Sequence, residues 1–268
     1  MTPYRPQVVA HRGASHDNAE HTLGAYLAAL EAGADGLECD VRLTADGHLV
    51  CVHDGDLRRT ASARGRVSTM ELADLSELDF ASWKNPWTDL DDEAPDRDES
   101  LDRVLTLRRL LETVADLDRR VEIAIETKHP TRYGGLVEKR LVAMLRDFGW
   151  DRPGSPVRVM SFSFTALQRV ERLAPDVRLV QLVDKVATWR LLRRTVGRHW
   201  IIGPGIDELT EHPRLGQSIV RRGHEIHVWT VNTPEQLELC RSLGVTACIT
   251  DRPAYLLDLV DGLEPGSR

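Results

Sequence analysis

Short apolar runs alternate with helix-length segments along almost the whole chain, and this alternation limits the fold more than any other feature. The runs are Gln7–Ala10, Gly36–Val41, Val121–Glu126, Val157–Ser161, Leu179–Val183, Trp200–Ile202, Ile226–Val231 and Ala247–Thr250. In the first intervening segment Leu23, Tyr26, Leu27 and Leu30 recur at helical spacing, Thr22 is placed to cap the start, and Gly33 to end it. A strand, a helix and a strand in such a short span form a βαβ unit, so the two strands run parallel. Helices are then expected at Leu101–Leu117, Gly135–Phe148, Phe164–Leu173, Val186–Val196, Arg214–Arg222, Pro234–Leu243 and Ala254–Val260. Eight strands alternating with eight helices in 268 residues favour an α/β fold of the (β/α)8 TIM-barrel type over an open doubly wound sheet. The lack of G-x-G-x-x-G after the first strand points the same way.

Two stretches break the alternation. Thr44-Ala45-Asp46-Gly47 is a turn signal followed at once by the apolar run His48–Val52, which reads as a hairpin rather than a crossover. From Asp56 to Leu101 the pattern is irregular, with a helix expected at Thr69–Leu78, the aromatics Phe80, Trp83 and Trp87, and an acidic loop from Asp89 to Glu99. This stretch reads as a small insertion, at about 56–101, in one barrel domain spanning residues 1–268. The acidic loop reads as a solvated surface.

Composition excludes several classes. A formal net charge of −7 argues against broad nucleic-acid binding, although a local cluster of cations could still reverse the sign inside a cleft. No stretch has the length of an apolar membrane span, and the apolar run before His11 is too short for a signal-peptide core, so a cytoplasmic protein without stable membrane insertion is expected. The four cysteines, Cys39, Cys51, Cys240 and Cys248, form no C-x-x-C pair and read as buried free thiols.

Residues suited to catalysis gather where a TIM barrel places its active site, at the C-terminal strand ends. The first strand runs into His11-Arg12, the second carries Glu38 and Asp40, and the third ends in Glu126-x-Lys128. Glu38 and Asp40 are two apart, so both side chains leave the strand on one face. Neighbouring buried carboxylates repel unless a cation sits between them, and three of them suit Mg2+ or Ca2+ better than zinc. His11 and His53 are then free for acid–base work. Asp54 could orient an imidazole or cap the next turn. Arg12 and Lys128 are cations placed to meet an anionic ligand. His16, in a loop, and His21, at a helix start, read as surface or capping residues.

The ordered set of motifs resembles the glycerophosphodiester phosphodiesterases. It runs through H11-R-G-A, A-E20-H-T-L-G-A-Y, G-A-D-G-L-E38-C-D40-V-R-L-T-x-D-G and V-x-V-H53-D-x-x-L-x-R-T60. It continues through I-A-I-E126-T-K128, S161-F162-S163, V228-W229-T230-V231-N232 and I-T250-D251-R-P. The resemblance implies a TIM barrel with an insertion after the second barrel strand. It implies Glu38, Asp40 and Glu126 as metal ligands, His11 and His53 as the acid–base pair, and Arg12 and Lys128 as phosphate ligands. It also implies Phe162 and Trp229 as apolar lining on the glycerol or leaving-group side. The activity implied is hydrolysis of a small glycerophosphodiester to glycerol 3-phosphate and an alcohol, with a lysophospholipase D or a non-catalytic phosphodiester-binding barrel as alternatives. The sequence departs from the usual P-E-N-T at Ala19-Glu20-His21-Thr22, where His21 replaces the asparagine.

Overall fold

A computed structural model describes residues 5–85 and 98–262. The strands are β1 (Gln7–His11), β2 (Gly36–Leu43), β3 (Leu49–Cys51), β4 (Glu122–Thr127), β5 (Val157–Ser161), β6 (Arg178–Val183), β7 (Ile201–Pro204), β8 (His227–Trp229) and β9 (Ala247–Thr250). The helices are α1 (Leu23–Glu31), α2 (Arg58–Ala61), α3 (Leu72–Ser76), α4 (Leu107–Ala115), α5 (Leu136–Asp147), α6 (Phe164–Leu173), α7 (Val186–Leu192), α8 (Ile206–Glu211), α9 (Arg214–Val220), α10 (Pro234–Ser242) and α11 (Pro253–Asp261). Eight strands run in the order β7-β6-β5-β4-β2-β1-β9-β8, parallel to their neighbours. Parallel bridges Ile202–Ile226 and Gly205–Trp229 join β7 to β8 and close the barrel. β3 stands outside this ring, antiparallel to β2 with Val41 opposite Cys51. The expected TIM barrel and hairpin are therefore present.

The period of two along each strand divides the core into two layers. Outward-facing Val8, Ala10, Leu37, Cys39, Val41, Ile123 and Ile125 pack under the helices. Inward-facing Val9, Ala124, Met160, Val180, Leu182, Ile201, Ala247 and Ile249 fill the barrel. Glu38, Asp40 and Glu126 alternate with the outward-facing residues and so share the interior face. All four cysteines are buried free thiols, as expected.

The helical boundaries differ from expectation in places that have physical causes. The helix expected from Leu101 begins only at Leu107, where the Thr106 hydroxyl accepts the Arg109 N–H. Just upstream the chain is committed to β3: Cys51 N–H donates to the Leu105 carbonyl at 2.8 Å, and Thr106 bridges Val50. The helices expected at Thr69–Leu78 and Val186–Val196 are shorter, as α3 and α7. The six-residue α8 is too short to display a period in sequence.

After β3 the chain builds a satellite core from Val50, Val52, Leu57, Val67, Leu75 and Phe80. Phe80 is only 5% exposed, and the Trp83 indole N–H donates to its carbonyl. Trp87 and the acidic loop up to residue 97 lie outside the described residues. Among the described residues no helix is long and apolar enough to cross a membrane.

Candidate active site

Strand register brings the distant carboxylates together. His11 is the partner of Glu38 across β1 and β2, and Asp40 is the partner of Glu126 across β2 and β4. Carboxylate oxygens of Glu38, Asp40 and Glu126 lie within 4.8 Å of one another, and all three residues are buried. This all-oxygen donor set could hold a hard divalent cation. The electrostatics fit one. Burial and the charge of Asp40 push the Glu38 carboxyl well above the usual range and Glu126 up to about 8. Both groups are short of positive charge, which a divalent ion would supply.

Asp40 differs. Burial alone would raise its carboxyl, but a hydrogen bond from His21 and the charge of Lys128 hold it well below the ordinary value. Lys128 Nζ lies 2.9 Å from both Asp40 Oδ1 and Glu126 Oε1. Arg12 Nε is 3.1 Å from Asp40 Oδ2.

His21 is not a surface or capping residue. It is 5% exposed, with Nε2 2.9 Å from Asp40 Oδ2 and Nδ1 2.8 Å from the Tyr26 hydroxyl. Burial lowers its pKa, so a neutral ring donates Nε2–H to a carboxylate that can only accept. Its φ of +63° is left-handed, a region where asparagine and histidine are the commoner non-glycine occupants. This explains how histidine stands in for asparagine there. Arg12 is left-handed too, at φ +58°, and its carbonyl accepts the His21 N–H at 3.0 Å, so each unusual conformation fixes the other. Gly13 completes the turn at φ +87°, where a Cβ would sit 2.7 Å from the Ala25 carbonyl carbon.

Both expected acid–base histidines are held in the same way. His11 Nδ1 lies 2.6 Å from Asp251 Oδ1, and His53 Nδ1 lies 2.8 Å from Asp54 Oδ1. Each carboxylate accepts a hydrogen bond from Nδ1–H, which fixes the ring and turns Nε2 toward proton transfer. For Asp251, burial works upward, but His11, Asn232 and Ser15 as donors bring the carboxyl down to about 2. Burial, with Arg12 and Lys128 adding to it, pulls His53 down to about 4. Asp54 is in turn held by Arg59 Nε at 2.6 Å, and Arg59 also grips Glu20. The sequence reading assigns no role to Asp251 or Asn232. Both stand in the quoted motifs, just after β8 and β9, which is the signal that could have found them.

His11, Arg12, Glu38, His53, Glu126, Lys128, Phe162 and Trp229 line one cavity of about 120 Å³, closed below by Met160, Leu182 and Ile249. Asp40, 1% exposed, lies outside its lining. Phe162 and Trp229 meet edge to face at 5.6 Å, with the Trp229 indole bonded to the Gly203 carbonyl. His16 is exposed, as expected.

A closed (β/α)8 barrel whose mouth joins a carboxylate cluster, two carboxylate-held histidines and two cations has the make-up of a hydrolase acting on an anionic ester. Residues 11–255 match the model of the glycerophosphoryl diester phosphodiesterase family, and the chain belongs to that family and is an enzyme of the phosphodiesterase class. A Mycobacterium tuberculosis protein called "Probable glycerophosphodiester phosphodiesterase 1" is 44% identical over 252 residues, spanning 92% of this chain and 90% of that one. A glycerophosphodiester phosphodiesterase of Caldanaerobacter subterraneus is 31% identical over 263 residues, spanning 94% and 97%. The fold is shared with an Oleispira antarctica phosphodiesterase solved in complex with the product sn-glycerol-3-phosphate, at a TM-score of 0.77 and 23% identity, covering 96% of this chain and 98% of that one.

Proposed function

We propose that this enzyme hydrolyses glycerophosphodiesters to glycerol 3-phosphate and an alcohol, with His11 and His53 as the acid–base pair. The observation that carries this reading is the matched holding of the two imidazoles. Each has Nδ1 fixed by a carboxylate, and both line the same small cavity as Arg12, Lys128 and two of the three clustered carboxylates. The whole chain is read as one catalytic domain with an insertion at about residues 56–101.

In this reading one imidazole takes the proton of the glycerol 2-hydroxyl, whose oxygen forms a bond to phosphorus. The other imidazole gives its proton to the departing alkoxide as the P–O bond to the alcohol breaks. The cyclic phosphate is then opened by water, with the two histidines exchanging roles, to leave glycerol 3-phosphate. Attack from within the same molecule gives a large proximity advantage. Arg12 and Lys128 hold the phosphate and balance its growing charge. Mg2+ or Ca2+ held by Glu38, Asp40 and Glu126 would supply charge neutralisation and ease deprotonation of a hydroxyl. Phe162 and Trp229 line the apolar side of the mouth and shape what fits beside the phosphate.

The test is turnover of glycerophosphocholine by His11→Ala and His53→Ala. Each is expected to lower kcat by about 10²–10⁴-fold. Near wild-type rates in either variant contradict the assignment. The lysophospholipase alternative lacks support among the described residues, because Phe80 is packed in a core rather than offered to an acyl chain.

A further inference from the structure

A second cleft, of about 390 Å³, lies beside the catalytic cavity and shares Lys128 with it. Its walls are the end of β2, the segment Gly55–Thr69, and the loop that follows β4. Arg42, Arg66 and Arg132 line it together with Lys128, and no Asp or Glu is among its lining residues. In a protein of net charge −7 that is a local reversal of sign.

Arg42 is held by a backbone carbonyl rather than by a carboxylate. Arg42 donates from Nε and Nη2 to the His53 carbonyl, at 2.9 and 2.7 Å, which leaves Nη1 unused. Nη1 of Arg42 and an Nη of Arg66 both lie 3.6 Å from the place a Cβ on Gly55 would occupy, so the two guanidiniums converge beside that glycine. Among the described residues, Arg42, Arg66 and Arg132 make no ion pair. The scaffold is fastened: the Tyr133 hydroxyl donates to the Ser68 carbonyl at 2.6 Å, and His129 Nε2 is 2.7 Å from Glu138 Oε1. Lys128 is paired with Asp40 and Glu126, and Arg42 feels these carboxylates and Asp54, but no carboxylate lines the cleft itself, so Arg42, Arg66 and Arg132 converge there with hydrogen-bonding capacity to spare for an anion.

The opposite flank of the mouth makes a useful contrast. The cleft beyond Trp229 is lined by Lys185 and the carboxylates of Asp184, Asp207, Glu208, Glu211 and Asp251, of which Glu208 is bonded to the Val186 N–H and Asp251 to His11 and Asn232. Its carboxylates at those two positions are already engaged, whereas the guanidinium of Arg66 is not.

We propose that the Arg42–Arg66–Arg132 cleft is a subsite for a second anionic group on the alcohol half of the substrate, so that the enzyme favours glycerophosphodiesters whose alcohol is itself phosphorylated or otherwise acidic. This rests on the phosphodiesterase reading above. The scissile phosphate sits at Arg12 and Lys128, the glycerol faces Phe162 and Trp229, and the alcohol extends past Lys128 into the basic cleft. The volume is within the ordinary range of small-molecule sites.

The test compares glycerophosphocholine, glycerophosphoglycerol, and glycerophosphoglycerol carrying a terminal phosphate, using wild type, Arg66→Glu and Arg132→Ala. Both positions are exposed, so the variants are expected to fold, which thermal unfolding checks. Wild type should show roughly tenfold or greater kcat/KM for the phosphorylated substrate over its unphosphorylated parent, expressed in KM. Arg66→Glu should abolish that preference, Arg132→Ala should weaken it, and added salt should shrink it in wild type. Equal turnover of the phosphorylated and unphosphorylated substrates by wild type, or a preference that survives Arg66→Glu, overturns the subsite. If wild type cleaves none of the three, the phosphodiesterase reading itself fails and the subsite falls with it.

Discussion

On one side of the barrel mouth, β1, β2 and β4 present charge: Arg12, Glu38, Asp40, Glu126 and Lys128 are each tied to another within about one hydrogen-bond length, and His11 beside them is held by Asp251 after β9. On the other side, β5, β6, β8 and β9 present Met160, Phe162, Leu182, Trp229 and Ile249, held by packing and by a single indole hydrogen bond. The first sector is over-determined. Removing one charge from it strands another, because a buried ion without its partner costs far more than the pair gains. The second is defined by shape and tolerates change as apolar surfaces do. Chemistry is therefore expected to depend on the charged sector and substrate fit on the apolar one.

The sharpest way to break this contrast is to remove one group from each side. Lys128→Met leaves Asp40 and Glu126 facing each other without their shared cation, and kcat is expected to fall by about 10²–10³-fold. Trp229→Ala removes apolar lining and the indole hydrogen bond to the Gly203 carbonyl, but no charge, and is expected to cost about tenfold or less, mainly as a rise in KM. Steady-state kinetics on one substrate separate the two patterns. Equal losses in kcat from both variants would erase the distinction between the sectors.

A smaller effect belongs to His21, which belongs to the charged sector although it lies on the loop before α1. His21→Ala should destabilise the fold by about 1–3 kcal/mol in urea unfolding, because Asp40 and the Tyr26 hydroxyl each lose a buried partner. His21→Asn keeps a residue suited to positive φ and should cost less. If the two variants are equally stable, the left-handed backbone is not what selects the residue type.

The smallest effect is one of pH. The Asp251 carboxyl lies at about 2, below its ordinary value of 3.8, so its ionised form is favoured in the folded state. That contribution is fully present above about pH 4 and is lost as pH falls toward 2. Asp251→Asn should therefore unfold at a lower temperature than wild type near neutrality, and the gap should narrow across that acid window. A constant gap would mean that the carboxylate is not stabilised by its partners.

The barrel was legible because each strand keeps one face under the helices and one in the interior, so apolar runs survive in sequence at every strand. The charged sector was legible for a related reason. Polar residues at strand ends, such as Glu38, Asp40 and Glu126, interrupt that pattern where a fully buried strand should not. Nothing local in the sequence distinguishes the buried imidazole of His21 from a capping one, because its partner Asp40 is nineteen residues away. The same holds at greater distance for Asp251, whose partner His11 is 240 residues away. The start of α4 is not legible because the helix-like sequence just upstream of Leu107 pairs with β3.

The most direct test of the central claim follows glycerol 3-phosphate release from glycerophosphocholine as Mg2+ or Ca2+ is removed by a chelator and then restored. The carboxylate cluster predicts that release stops on removal and returns with either or both ions, and that Glu126→Gln, which is not expected to unfold the barrel, needs more metal to reach half-maximal rate. Release that continues undiminished in chelator, with Glu126→Gln behaving as wild type, would contradict a metal centre at Glu38, Asp40 and Glu126.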